Sequence, residues 1–140
     1  MGSLALVIAS CGDDALFPAD YADTYSEVRT CRRSSDHELR YIRVLADPAA
    51  LAPYRDRLAP FPVDSIVLKE EYDFADGDCT GPILEWTVMQ KTASSARLGW
   101  HWQRVDAEGA IETDNSSLCS NCHAGCTPDV NGYDATCAVP

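Results

Sequence analysis

The chain has 140 residues, enough for one domain with a real core, and carries 22 acidic against 11 basic side chains for a net charge of −11. Nearly half of it is apolar, so a folded globule is expected rather than a disordered segment. So acidic a surface, with no basic stripe, excludes nucleic acid and anionic lipid as partners and would attract a basic protein.

The first eleven residues contain a short apolar run, and Ile8-Ala9-Ser10-Cys11 resembles a bacterial lipoprotein cleavage box. Residues 1–16 therefore read as a signal remnant and linker, and residues 17–140 as the folded domain. Seven cysteines in so short a chain suit an oxidising compartment, so a periplasmic protein anchored by lipid on Cys11 is expected. Residues 17–30 predict a helix, with Tyr21, Tyr25 and Val28 on one face. Residues 38–46 have strand composition. Asp47-Pro48 then opens a second helix over residues 48–58, with Pro53 a source of kinking, and Pro60-Phe61-Pro62 ends it. Strands follow over residues 65–72, 83–91 and 98–105, joined by turn-rich loops, and residues 106–117 form a polar lead into a cysteine cluster. The fold class is α+β, a mostly antiparallel sheet with flanking helices.

Cys119-Ser120-Asn121-Cys122-His123 is a C-x-x-C-H run, the signature of c-type haem attachment. Two thiols on one helical turn can each add to a porphyrin vinyl group, and the adjoining His123 can ligate the iron. One haem c near the C-terminus is therefore expected, bound through Cys119 and Cys122 with His123 as the metal ligand. Cys126 offers a rival zinc set, but four ligands within so short a segment would be strained, since tetrahedral sites draw on two separate segments. An iron–sulfur cluster lacks a nearby fourth thiolate, and a purely disulfide reading leaves His123 idle. Cys31, Cys79, Cys126 and Cys137 remain, and four cysteines allow three connectivities. The expected pairs are Cys31–Cys79, tying the first helix to a hairpin, and Cys126–Cys137, closing a short loop.

Several segments taken in order resemble the cytochrome P-460 family and its cytochrome c′-beta relatives. They are F-P-A-D-Y from Phe17, E-L-R from Glu38, D-P at Asp47, F-P-V-D-S-I-V-L-K-E from Phe61, V-M-Q-K from Val88, G-W-H-W from Gly99, and the late haem run. The resemblance implies a largely β homodimer whose haem has histidine on one face and an open or weakly held site on the other. It also implies that Lys69 stands where P-460 members carry a lysine cross-linked to the porphyrin edge, with Lys91 a second candidate. The implied activity is hydroxylamine oxidation. The c′-beta relatives imply the alternative, a cytochrome that binds nitric oxide or carries electrons without catalysis. After His123 the chain departs from the family pattern and adds cysteines.

Hydroxylamine oxidation needs a group that takes up protons, and Glu70, Glu71 and Glu85 are the candidate carboxylates. Strand alternation puts Lys69 and Glu71 on one face and Glu70 on the other, which favours Glu71. Arg40, or its rival Arg43, could hold a ligand or a haem propionate. Trp100 and Trp102 share a face and read as core or haem-packing residues. His37 and His101 read as surface or hydrogen-bonded histidines, and Met89 as a core side chain that would make an electron carrier if it reached the iron.

Overall fold

A computed structural model describes residues 14–137. The lipoprotein-like box with Cys11 lies outside the described residues. The elements run α1 (Tyr21–Thr24), β1 (Ser26–Arg33), β2 (Tyr41–Ala46), α2 (Leu51–Asp56), β3 (Ile66–Tyr72), β4 (Glu85–Lys91), β5 (Trp100–Asp106), β6 (Ile111–Asp114) and α3 (Ser117–His123). The six strands form one sheet in sequence order, and every neighbouring pair is antiparallel. The architecture is thus a mostly antiparallel sheet with a few short helices, as the α+β expectation has it.

The long first helix is the main correction. It ends at Thr24, and residues 26–33 form edge strand β1 against β2. Tyr21 and Tyr25 pack with Leu68 and Val88 on one sheet face, whereas Val28 joins Ile42 and Trp102 on the other. The three side chains share a helical spacing but not a destination. The register between β1 and β2 shifts twice, bulging the edge, and Glu27, Arg29, Arg32 and Arg33 load it with charge.

The central strands follow their composition, with Val67, Leu68, Val88 and Val105 buried among β-branched and aromatic neighbours. β2 starts later than expected because Glu38 and Leu39 adopt left-handed φ of 55° and 61°, which a strand cannot include. In α2, Asp47 Oδ1 accepts from Ala50 N at 2.7 Å. The helix begins three residues later than predicted, so Pro53 occupies its first turn, where its missing N–H costs no bond. β6 was not anticipated: four residues with one apolar side chain give no periodicity, and it forms after a turn in which Gly109 takes φ 86°.

Both sheet faces are covered. Residues 16–25 close one over Leu45, Ile66, Leu68 and Val88. On the other, Tyr54 of α2, Phe61, Trp100 and Trp102 form a cluster with Cys119 and Tyr133 packed against it, and this face holds the cleft described next. Both expected disulfides form. Cys31 joins Cys79 with Cα atoms 5.6 Å apart, tying β1, rather than a helix, to the β3–β4 connection. Cys126 joins Cys137 with Cα atoms 4.8 Å apart.

Candidate functional site

A cleft of about 600 Å³ lies between the sheet and α3. Strand alternation supplies its floor: Ile42 and Val44 of β2, Val67, Lys69 and Glu71 of β3, Thr87 and Met89 of β4, and Trp102 and Arg104 of β5. Its wall is α3. Ser116 Oγ accepts from Leu118 N at 3.2 Å and caps that helix, so Cys119, Cys122 and His123 are presented together. Cys119 and Cys122 are the free cysteines among the described residues.

His123 is held firmly. Its Nδ1 donates to the Ala135 carbonyl at 2.7 Å, and its ring lies against Trp102 with centroids 4.6 Å apart. With Nδ1 carrying the proton, Nε2 keeps its lone pair, as a metal-ligating imidazole requires. Burial pushes the His123 pKa down to about 4, against the upward pull of the Ala135 carbonyl, so the ring is neutral at physiological pH. The zinc alternative fails on connectivity, because Cys126 is consumed in its bridge to Cys137.

Opposite the cysteines, Lys69 Nζ lies 2.7 Å from His37 Nε2, and His37 Nδ1 lies 2.9 Å from Glu71 Oε1. Thr87 Oγ1 donates to the same oxygen at 3.3 Å. Glu71 faces Glu85 across the β3–β4 ladder, and Arg40 reaches both carboxylates at 3.4 Å. Arg104 binds Glu85 at 2.6 Å. These cations let two buried acids stand side by side. Burial would raise the Glu71 pKa, but the hydrogen bond from His37, with the charges of Lys69 and Arg40, holds it below the ordinary carboxylate value. Burial likewise lowers the Lys69 pKa to about 8, although Glu71 opposes it.

The structure brings Lys69, Glu71, Cys119, Cys122 and His123 to one cleft, and Arg40 to its carboxylates. Arg40 also pairs with Glu38 at 2.9 Å, so three acids share its charge. Its rival Arg43 lies on the other face with the buried Glu70 at 2.7 Å, which removes Arg43 and Glu70 from the site. Lys91 is paired with Asp134 at 2.7 Å and is not among the residues lining the cleft. Met89 is buried in the core cluster, and His101 pairs with Asp114 at 2.8 Å. His37 is hydrogen-bonded, as expected, but its partners Lys69 and Glu71 were not foreseen. It sits in a turn 32 residues from Lys69 and 34 from Glu71, and no local spacing links them.

A cleft within the size range of small-ligand and cofactor sites, bordered by two free thiols and an imidazole anchored through Nδ1, has the donors a haem needs. The fold and site thus define a haem-binding sheet protein. The family model Cytochrome P460 matches residues 18–130, and the chain belongs to that family of haem cytochromes. Comparison with curated proteins returns no match.

Proposed function

We propose that the protein is a mono-haem c-type cytochrome that oxidises hydroxylamine, with haem joined to Cys119 and Cys122 and ligated by His123. The observation that carries this reading is the presence of Lys69, hydrogen-bonded to His37, in the same cleft as the two free thiols. Once bound, the haem supplies an iron centre that takes the substrate's nitrogen and accepts its electrons. The protein's own groups do the rest. His123 Nδ1–H is fixed by Ala135, which orients the ring and raises its basicity. Glu71, ionised at neutral pH, takes up protons released by substrate, and His37 and Arg40 hold its carboxylate in place. Lys69, whose pKa burial lowers to about 8, would hold the porphyrin edge and tune its electronics.

On this reading the protein is periplasmic, tethered by lipid on Cys11, and works as a homodimer that passes electrons to a basic protein. Its net charge of −11 supports that partner's sign. The test is the ferrous absorption spectrum with hydroxylamine turnover to an electron-accepting dye. A strongly red-shifted Soret band, lost in Lys69→Ala together with turnover, is the expected result. An ordinary c-haem band in the wild type, with nitric oxide binding and no turnover, would instead leave a gas-binding or electron-carrying cytochrome.

A further inference from the structure

We propose that His37 is a positioning residue that, oriented by Glu71, aims Nε2 at the Lys69 amine and accepts its proton as the amine reacts inside the cleft. The inference deepens the cross-link reading above and rests on it for its first readout. Three groups lie in line: Glu71 Oε1 to His37 Nδ1 at 2.9 Å, then His37 Nε2 to Lys69 Nζ at 2.7 Å. A carboxylate cannot donate, so Nδ1 carries the hydrogen, and Nε2 is left as an acceptor aimed at the amine. This is the arrangement of nucleophile, base and orienting acid that activates weak nucleophiles elsewhere, here with an amine as the nucleophile. Glu71 is itself fixed by Thr87 and Arg40, so the line cannot swing.

His37 reaches Lys69 only because of the backbone around it. Glu38 and Leu39 turn the chain through left-handed φ values, and Arg40 N donates to the His37 carbonyl at 2.9 Å, closing a tight loop over β3. Left-handed backbone at two consecutive non-glycine residues is costly, and such strain persists where the surroundings enforce it. The charged and titratable groups around the cleft are Glu71 on the same strand as Lys69, Arg32 of β1, Asp36, Glu38 and Arg40 of the turn, Glu85 of β4, Arg104 of β5, and Cys122 and His123 of α3. Among these, His37 makes the hydrogen bond to Nζ.

The chemistry balances as follows. A C–N bond forms between Nζ and a porphyrin ring carbon, and one N–H and one C–H bond are lost. Two protons leave, and a two-electron oxidant of the peroxide class takes the two electrons. The N–H proton passes to His37 Nε2 as the amine lone pair attacks.

The experiment compares haem-loaded wild type with His37→Gln and Lys69→Ala, matured in the same host and treated with peroxide across pH. Peptide mass spectrometry reads the fraction of Lys69 peptide joined to haem. In His37→Gln the rate of joining should fall about 10-fold at pH 7 and recover near pH 10, where solvent alone deprotonates the amine. A loss due only to disturbed packing would not recover with pH, and equal rates at pH 7 would overturn the proposal. If no wild-type peptide joins haem at any pH, the cross-link reading fails, and the same holoproteins are acylated with acetic anhydride. The chain has two lysines, so Lys91 serves as the internal reference. Lys69 labelling faster in wild type than in His37→Gln then upholds the role of His37, and equal labelling ends it.

Discussion

Replacing Cys31 and Cys79 together by alanine opens the larger of the two disulfide loops, and its cost follows from the fold. The bridge closes a separation of 48 residues. Loop-closure entropy for that length gives about 4 kcal/mol at 25 °C. The same expression for the 11-residue separation of Cys126 and Cys137 gives about 2.8 kcal/mol. For a chain of this length, about 4 kcal/mol corresponds to a fall in Tm of roughly 14 °C. The native state gives little to offset that loss: Cys31 lies in an edge strand, and the β3–β4 connection touches that strand's end through one hydrogen bond from Arg33 to the Phe74 carbonyl at 3.4 Å. The assay is urea unfolding of haem-loaded protein followed by Trp fluorescence, with both double variants measured beside the wild type. The Cys31/Cys79 variant should lose more stability than the Cys126/Cys137 variant by about 1 kcal/mol. Because β1 leads into the turn that carries His37, it should also react more slowly at Lys69. A reversed order of stabilities, or a loss under about 1 kcal/mol for the longer loop, would refute the reasoning.

Glu70→Gln should cost about 2 kcal/mol, measured by urea unfolding, because Glu70 accepts from Tyr21, Tyr72 and Arg43 while Arg43 is still 35% exposed. Its haem spectrum should stay unchanged, since Glu70 lies on the face away from the cleft. The Glu71 carboxyl titrates below its ordinary 4.5 when folded, so the folded state binds fewer protons than the unfolded chain there. Its stabilisation is therefore present above pH 4.5 and lost as pH falls below, and Glu71→Gln should flatten the acid limb of a stability–pH curve. Gly132→Ala would drive a methyl group into the Cys126 backbone, so the loop bearing Ala135 must shift. A changed reduction potential in redox titration, from a disturbed His123 hydrogen bond, is the expected readout.

How much could be read beforehand depended on the range of the interaction. The C-x-x-C-H run spans five consecutive residues and one helical turn, so the joint presentation of Cys119, Cys122 and His123 on α3 was legible without a fold. The pairing of Lys69 with Glu71 was legible too, because strand alternation is local once β3 is recognised. Residues 26–30 were misread because Tyr21, Tyr25 and Val28 mimic a helical stripe, while the unpaired edge of β2, remote in sequence, claims them as β1. The hydrogen-bonded state of His37 was legible but its partners were not, because both contacts are made more than 30 residues away, through a turn whose left-handed residues carry no glycine to announce it. Arg40 was singled out, but its partners, Glu71 and Glu85, become neighbours only when β3 and β4 pair.

The same distinction separates the two sides of the cleft. On the α3 side the imidazole is set by a hydrogen bond to Ala135, and the segment holding that carbonyl is pinned several times over. Trp100 Nε1 donates to the Asp134 carbonyl at 2.9 Å, Lys91 pairs with the Asp134 carboxylate, and the Cys126–Cys137 bridge closes the loop. The side chains there are neutral or internally paired, so what the fold supplies is rigidity. On the sheet side Lys69, His37, Glu71, Arg40, Glu85 and Arg104 form a continuous chain of titratable groups with alternating roles, and the fold lowers proton affinity at both Lys69 and Glu71. A substitution in the C-terminal loop should therefore move the reduction potential with little effect on pH dependence. One among Lys69, His37 and Glu71 should reshape the pH profile while α3 and its cysteines are left in place. The added cysteines after His123 belong to the first class: they stiffen the loop that supports His123 and leave the proton chain untouched.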